Sequence, residues 1–237
     1  VPGAGLVLSI DPGTVWRVGF RPDPWAWSDW KHATDEGRFN GRWDDVAGQF
    51  RTVYAGESLF ACLMELLAKF RRDTHLVDAL EQIEEDPADT IEFPAREPSA
   101  VSYRWLEDRC ASTATLQGTF CVATSADTLA VLWPLFIDTA RRLGSSDLDA
   151  AALKDSGPRD LTRTIANWLY QQTQPVIDGV EFASRHGDDL RLWALFERPS
   201  TDSEISPLLT EIISMALSAE TPELIAAFEA LGLSWTE

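Results

Sequence analysis

The sequence predicts an α+β fold. Segments with strand character come early and late in the chain, and helical segments fill the middle and the end. That order lacks the regular strand–helix alternation of a doubly wound parallel sheet. The chain also has neither a GxGxxG turn nor a phosphate-binding P-loop, so the usual nucleotide-binding sheets are not expected.

Each element has a local reason. "TVWRVGF" alternates, with Trp16, Val18 and Phe20 on one side and Val15, Arg17 and Gly19 on the other, so it reads as a strand with Arg17 opposite the aromatic face. "RPDPWAWSDWKHATDEG" is rich in Pro, Trp and Asp and reads as a long ordered loop, pinned to the body by Trp25, Trp27 and Trp30. "QFRTVYAGES" is a second strand, with Phe50, Thr52 and Tyr54 on one face. A helix follows, with an apolar stripe of Leu59, Leu63, Leu66, Leu67 and Phe70 and with Ser58 as its N-cap. Glu65 falls on the other side of that helix, with Ala61 and Lys69.

Further on, "TIEFP" and "GTFCVATS" read as strands and "SYRWLEDRC" as a short helix. "ADTLAVLWPLFIDTARRLG" is helical, with Pro134 expected to kink it or split it in two. "SDLDAAALKD" is a short helix, and "SGPRDLTRTIANWLYQQTQ" a longer one with Pro158 near its first turn. "GVEFASR" and "LRLWALFE" form a hairpin joined by "HGDD". The tail beyond Pro199 reads as two helices, the last starting at Thr221-Pro222-Glu223.

Composition narrows the function. The chain has 237 residues, 45% of them apolar, enough for a sizeable core. A formal net charge of −18 opposes phosphate backbones and anionic lipid surfaces, so neither direct nucleic-acid binding nor membrane binding is expected. No apolar run approaches the ~20 residues that span a bilayer. The opening "VPGAGLVLSI" has no basic region before an apolar core, so a secretory leader is not expected. Cys62, Cys110 and Cys121 are odd in number and lack CxxC spacing, which fits a reducing cytoplasm. His32, His75 and His186 lie far apart, so no metal site is expected.

Several residues could carry chemistry, and each has an ordinary explanation. Glu65 and Lys69 are an i,i+4 pair worth only a few tenths of a kcal/mol on a solvated helix face. Arg17 could pair with any of many carboxylates, and Arg42 with Asp44 or Asp45 beside it. Tyr54 could be a strand aromatic and Ser184 a polar strand end. Asp44 and Asp45 are adjacent and point apart, so they do not make an acid–base pair. Ser184 and His186 lack the GxSxG elbow of a serine hydrolase.

The ordered set "VWRV", "GRFNGRWDD", "VYAGES", a helix bearing Glu65, "DLTRTIANWL" and "GVEFASR" resembles the RES-domain family, over about residues 12–198. The resemblance implies a single domain over residues 1–237, with a C-terminal helical extension over about residues 203–237. It implies a core similar to that of ADP-ribosyltransferases: small mixed β-sheets around an NAD cleft, with a helical middle insertion and a helical C-terminus. Known members are toxins of bacterial toxin–antitoxin pairs that consume NAD. NAD is then a substrate, with no prosthetic group, and the partner an Xre-like antitoxin. A homo-oligomer is left open.

By the same resemblance, Arg17, Arg42, Tyr54 and Glu65 match the family's site residues, with Glu65, Tyr54 and Arg17 catalytic. Thr162 and Ser184 are two counterparts of the family's serines. Trp43 is a candidate wall of the site, structural anchoring being its other reading. Asp44 stands where the family usually has Asn, so it must turn away, pair elsewhere, or touch a ribose hydroxyl. The acceptor of the ADP-ribose is open between water, phosphate and a protein side chain. A binding module without turnover is the alternative from another class.

Overall fold

In the computed structural model, the described residues are 5–34, 36–71, 99–155, 157, 159–199 and 203–236. The strands are β1 (Leu8–Ile10), β2 (Gly13–Phe20), β3 (Thr52–Gly56), β4 (Ala100–Ser102), β5 (Arg109–Leu116), β6 (Thr119–Val122), β7 (Gly179–Ser184), β8 (Gly187–Phe196), β9 (Leu209–Ala216) and β10 (Ser234–Thr236). The α-helices are α1 (Leu59–Leu67), α2 (Arg104–Glu107), α3 (Ala126–Arg142), α4 (Ala150–Lys154), α5 (Arg159–Tyr170) and α6 (Pro222–Leu231). The fold is α+β. Eight strands form one mixed sheet in the order β1-β6-β7-β8-β3-β2-β5-β9, larger than the small sheets expected, and β10 and β4 form a short parallel pair. Within the large sheet only β6 and β7 run parallel.

Over its central strands both faces of the sheet are covered, which is why those strands carry apolar residues of both parities, whereas the edge strand β9 is exposed on both faces beyond Leu209. On one face α1, α3, α5 and α6 pack over Val18, Val180, Phe182 and Ala194. On the other, the tryptophan loop lays Trp25 and Trp27 over Val15, Val53, Ala55 and Trp193. Trp25 Nε1 donates to Ser112 Oγ at 2.9 Å, which satisfies the one polar group that its burial would strand. Trp30 is 40% exposed and, unlike its two neighbours, packs outside the core, with its ring against Phe39 at 5.3 Å between centroids and under the Arg51 guanidinium.

Four local expectations are corrected. The stretch "RCASTATL" is a full strand, β5, and the helix expected over 102–110 shrinks to α2. Small residues fill β5 because it lies between β2 and β9 under covered faces, and small residues carry little apolar periodicity. Residues 209–216 are the strand β9 and not the first of two tail helices: β5 would otherwise present an open edge, and Ile212 and Ile213 favour extended backbone. The C-terminal part is therefore a strand that completes the sheet, followed by α6. Helix α3 is a single element across Pro134, which corrects the alternative of two pieces; Ala130 and Pro134 are both exposed, so the carbonyl that Pro134 leaves unbonded can meet water. The hairpin turn is the pair Arg185–His186, with Gly187 to Asp189 already in β8. The strand expected at "TIEFP", like His75, lies outside the described residues.

Candidate active site

The site is assembled by one face of α5. Arg159, Thr162, Arg163 and Asn167 recur at helical spacing and all bond the loop over residues 39–45. Arg163 donates to the Gly41 carbonyl at 3.2 Å and the Phe39 carbonyl at 2.9 Å. The Thr162 hydroxyl has the Arg42 carbonyl at 2.6 Å, and Asn167 donates to Asp45 at 2.7 Å. Asp45 also accepts from the Ala47 and Gln49 amides, closing the turn behind Trp43. Trp43 itself is fully buried, against Phe182 at 5.8 Å between centroids. Thr162 and Trp43 thus stand behind the site and do not wall it, because the buried helix face needs both for packing and for satisfying the loop's carbonyls.

Asp44 turns away from Arg42. It is buried, accepts from the Gly41 amide and from the Tyr54 hydroxyl at 2.8 Å. Burial raises its pKa, opposed by the Tyr54 and Gly41 hydrogen bonds. The Tyr54 hydroxyl in turn accepts from the Trp43 amide at 2.9 Å. Burial first, and then Asp44, push the phenol's pKa well above its usual range. Tyr54 therefore presents its ring to the site and spends its hydroxyl on the loop, which leaves it no proton to exchange with a ligand. Gly41 is required here: a Cβ would lie 2.6 Å from Asp44 Oδ1 and against the Tyr54 hydroxyl.

Arg17 sits where the sheet splits. β2 and β3 pair only at Trp16 and Gly56 and then separate. Into the gap Arg17 sends its guanidinium, with Nη1 on the Tyr54 carbonyl at 2.6 Å and Nε on the Pro24 carbonyl at 2.5 Å. Burial pulls its pKa down, but an arginine stays charged in a protein. Arg42 likewise leans on main-chain carbonyls, those of Leu153 at 2.6 Å and Asp155 at 3.1 Å.

Glu65 is held from across the molecule. Ser184, at the end of β7 and 1% exposed, donates its hydroxyl to Glu65 Oε1 at 2.5 Å and accepts the His186 amide at 2.9 Å. No ion pair joins Glu65 and Lys69 among the described residues; Lys69 lies over the Phe70 ring at 5.1 Å. Of the two hydroxyl candidates, Ser184 is the one that reaches the carboxylate.

These groups surround a cavity of about 490 Å³. Arg17, Arg42, Tyr54 and Glu65 line it, as the sequence led us to expect, and Ser184 backs Glu65. Sequence reasoning missed Arg159, Arg185 and His186, which also line it. Arg185 closes the "GVEFASR" stretch and Arg159 directly precedes "DLTRTIANWL", but neither was singled out there, and His186 was visible only as a neighbour of Ser184. Cys62 is on the wall too, but burial pushes its thiol up to about 12, so it is no nucleophile at neutral pH. Five basic side chains, Arg17, Arg42, Lys69, Arg159 and Arg185, thus face a single carboxylate, Glu65. None of the five has a carboxylate partner among the described residues. The excess of positive charge in the lining suits an anion. Among the described residues no group of His, Cys, Asp and Glu side chains could hold a metal ion.

The model of the RES domain matches residues 14–217. The chain belongs to the RES-domain family. No curated protein matches it. Among solved structures, it is similar to a crystal structure of the M. tuberculosis MbcT–MbcA toxin–antitoxin complex, at 13% identity and a TM-score of 0.42, over 95% of this chain and 92% of that one. The RES-domain match extends beyond residue 198 and takes in β9, in keeping with that strand's place in the sheet. No helix of the RES chain, among the described residues, is long and apolar enough to cross a membrane.

Proposed function

We propose that this RES-domain chain binds NAD in the cavity and cleaves the bond between nicotinamide and ribose, as the toxin of a cytoplasmic toxin–antitoxin pair. The observation that carries the reading is the charge arrangement: one carboxylate, oriented by Ser184, facing a cluster of cations that have no ion-pair partner among the described residues.

The reaction asks little of acid–base chemistry. When the glycosidic C–N bond breaks, its electron pair moves to the pyridinium nitrogen, so nicotinamide leaves neutral and needs no proton. Positive charge is left on the ribose, spread between C1′ and the ring oxygen. Glu65 is the group placed to stabilise it, and fixed charge at that point acts without reorganisation. Arg17, Arg42 and Arg159 suit the pyrophosphate, because a planar guanidinium offers paired donors to phosphate oxygens. The Tyr54 ring is a surface for the nicotinamide to stack on. Ser184 positions Glu65, while Thr162 and Trp43 act at one remove, through the Arg42 loop. The oxygen that then adds to C1′ comes from water or phosphate, making the enzyme a glycohydrolase or a phosphorylase.

The test is release of free nicotinamide from NAD by the purified chain, with product identification in the presence and absence of phosphate. Glu65→Gln should stay folded, giving up only the charge-assisted part of the Ser184 bond, and lose release by a factor of about 10² or more, as when a transition-state charge stabiliser is removed. Full activity in that variant would overturn the assignment. Relief of growth arrest by a co-expressed neighbouring gene product would test the antitoxin.

A further inference from the structure

A second cavity, of about 540 Å³, adjoins the candidate active site. Arg185 lines both cavities. The partition between them is the turn after α4: Arg42 holds the carbonyls of Leu153 and Asp155, while Lys154 and Asp155 line the second cavity. The two compartments differ in charge. The first is dominated by cations. The second carries Asp147, Asp149 and Asp155 against Lys154 and Arg185, and Lys154 is already paired with Asp188.

A dinucleotide has the matching pattern: two nucleosides either side of a doubly charged pyrophosphate. We infer that the second cavity takes the adenosine half of the ligand, with Arg185 at the pyrophosphate between the compartments, and that its aspartates select a free ribose 2′-hydroxyl over a 2′-phosphate. Carboxylates accept hydrogen bonds from ribose hydroxyls, and they repel a phosphate in the same place. Each aspartate keeps spare acceptor capacity for this. Asp147 accepts from Trp133 Nε1 and the Leu148 amide through one oxygen, Asp149 caps α4 through one, and Asp155 accepts the Gly157 amide through one. This rests on the NAD reading of the first cavity and adds where the other half lies and which cofactor form is taken.

Calorimetric titration of the whole chain tests it without depending on turnover. ADP-ribose should bind at least about tenfold more tightly than ribose 5-phosphate, since the remote half contributes its own contacts. ADP-ribose carrying a 2′-phosphate should bind about tenfold more weakly than ADP-ribose itself. Ser146→Trp, at an exposed position on the second cavity's wall, should remove most of the ADP-ribose advantage and leave ribose 5-phosphate unchanged. The double variant Asp147→Asn/Asp155→Asn should bring the two ADP-ribose forms together. Equal binding of ADP-ribose and ribose 5-phosphate to the wild type, or Ser146→Trp that leaves the ratio intact, would overturn the inference. Nicotinamide release, measured separately, reports on the catalytic reading: binding with the expected ratios but no release would sink that reading and leave this one standing.

Discussion

The Ser184 hydroxyl is the most exacting place to test the site, because Ser184→Ala removes two hydrogen bonds and one oxygen atom and little else. The bond to Glu65 is charge-assisted and short, at 2.5 Å, and such bonds contribute about 1.5–3 kcal/mol. The bond from the His186 amide, at 2.9 Å, is a neutral one of about 0.5–1.5 kcal/mol. Glu65 is half-buried and faces the cavity, so water replaces part of what its carboxylate loses. The expected net loss is about 1–3 kcal/mol of stability, read as a shift of the urea midpoint without a change in slope. The kinetic effect should be larger than that figure suggests. A carboxylate free to swing is misplaced by about an ångström, and misplacement on that scale costs about 10²-fold in rate. Thr162→Val is the control. It strips the hydroxyl from the part-buried Arg42 carbonyl, which it meets at 2.6 Å, and should cost about 1 kcal/mol, yet it leaves Glu65 untouched and should lower nicotinamide release far less. A Ser184→Ala protein with wild-type release and stability within about 0.5 kcal/mol of the parent would refute the role.

Three further perturbations follow from the loop and the sheet gap. Gly41→Ala pushes a methyl onto both Asp44 oxygens, 2.6 and 2.7 Å away, and should cost about 2 kcal/mol or more in chemical denaturation. Asp44→Asn should change the pH dependence of stability. Burial holds the Asp44 pKa above its unfolded value, so the folded state is favoured while the carboxyl is protonated and loses that advantage as pH rises through the folded pKa. The Asn variant lacks this loss, so its stability relative to wild type should be lowest in acid and rise towards neutral pH in melts across that range; a gap that does not change with pH would contradict it. Arg17→Lys keeps the charge but cannot span the Pro24 and Tyr54 carbonyls with a planar fork, and should cost about 1–2 kcal/mol and weaken ADP-ribose binding. An unchanged melting temperature would show that the gap between β2 and β3 closes without the fork.

What the sequence could show depended on how locally each feature is encoded. The cap at Ser58 is written within one stretch and stands as expected, and Leu59, Leu63 and Leu67 are buried; but Ala61, expected beside Glu65 on the polar side, is buried with them, Leu66 lines the cavity, and Phe70 lies past the helix end. Arg17, Tyr54 and Glu65 sit on elements with strong local signals and Arg42 in a loop between two of them, but each had an ordinary explanation alone, and the resemblance of the ordered set is what marked them as site residues. Ser184 and Glu65 are 119 positions apart, and nothing local ties them together. The same is true of Arg159 and Arg185, whose side chains reach the cavity only because α5 and the β7–β8 turn converge there. β5 was hidden because a doubly covered strand of small residues shows no alternation. β9 was misread because its strand character comes from the edge of β5 that it completes, a tertiary cause that outweighs a composition tolerant of helix.

A molecule of net charge −18 should repel an anionic ligand, and the proposed site would avoid doing so through what its cations touch. Away from the site, Arg51 pairs with Glu197, Arg191 with Glu57 and Lys154 with Asp188. Inside it, Arg17, Arg42 and Arg159 are held by backbone carbonyls of residues 24, 54, 153, 155 and 40. A carbonyl orients a guanidinium as well as a carboxylate does but leaves its unit charge uncancelled. Asp44 and Asp45, the two carboxylates that could have neutralised Arg42 from within the same loop, are both turned inward: Asp44 is engaged by Tyr54 and the Gly41 amide, Asp45 by Asn167 and the Ala47 and Gln49 amides. The acidic surplus is thereby spent elsewhere, and positive charge survives where low-dielectric walls make it act most strongly. Tyr54 is the hinge of that arrangement: its hydroxyl draws Asp44 away from Arg42, and its carbonyl fixes Arg17, so one strand residue keeps two cations available to the cavity.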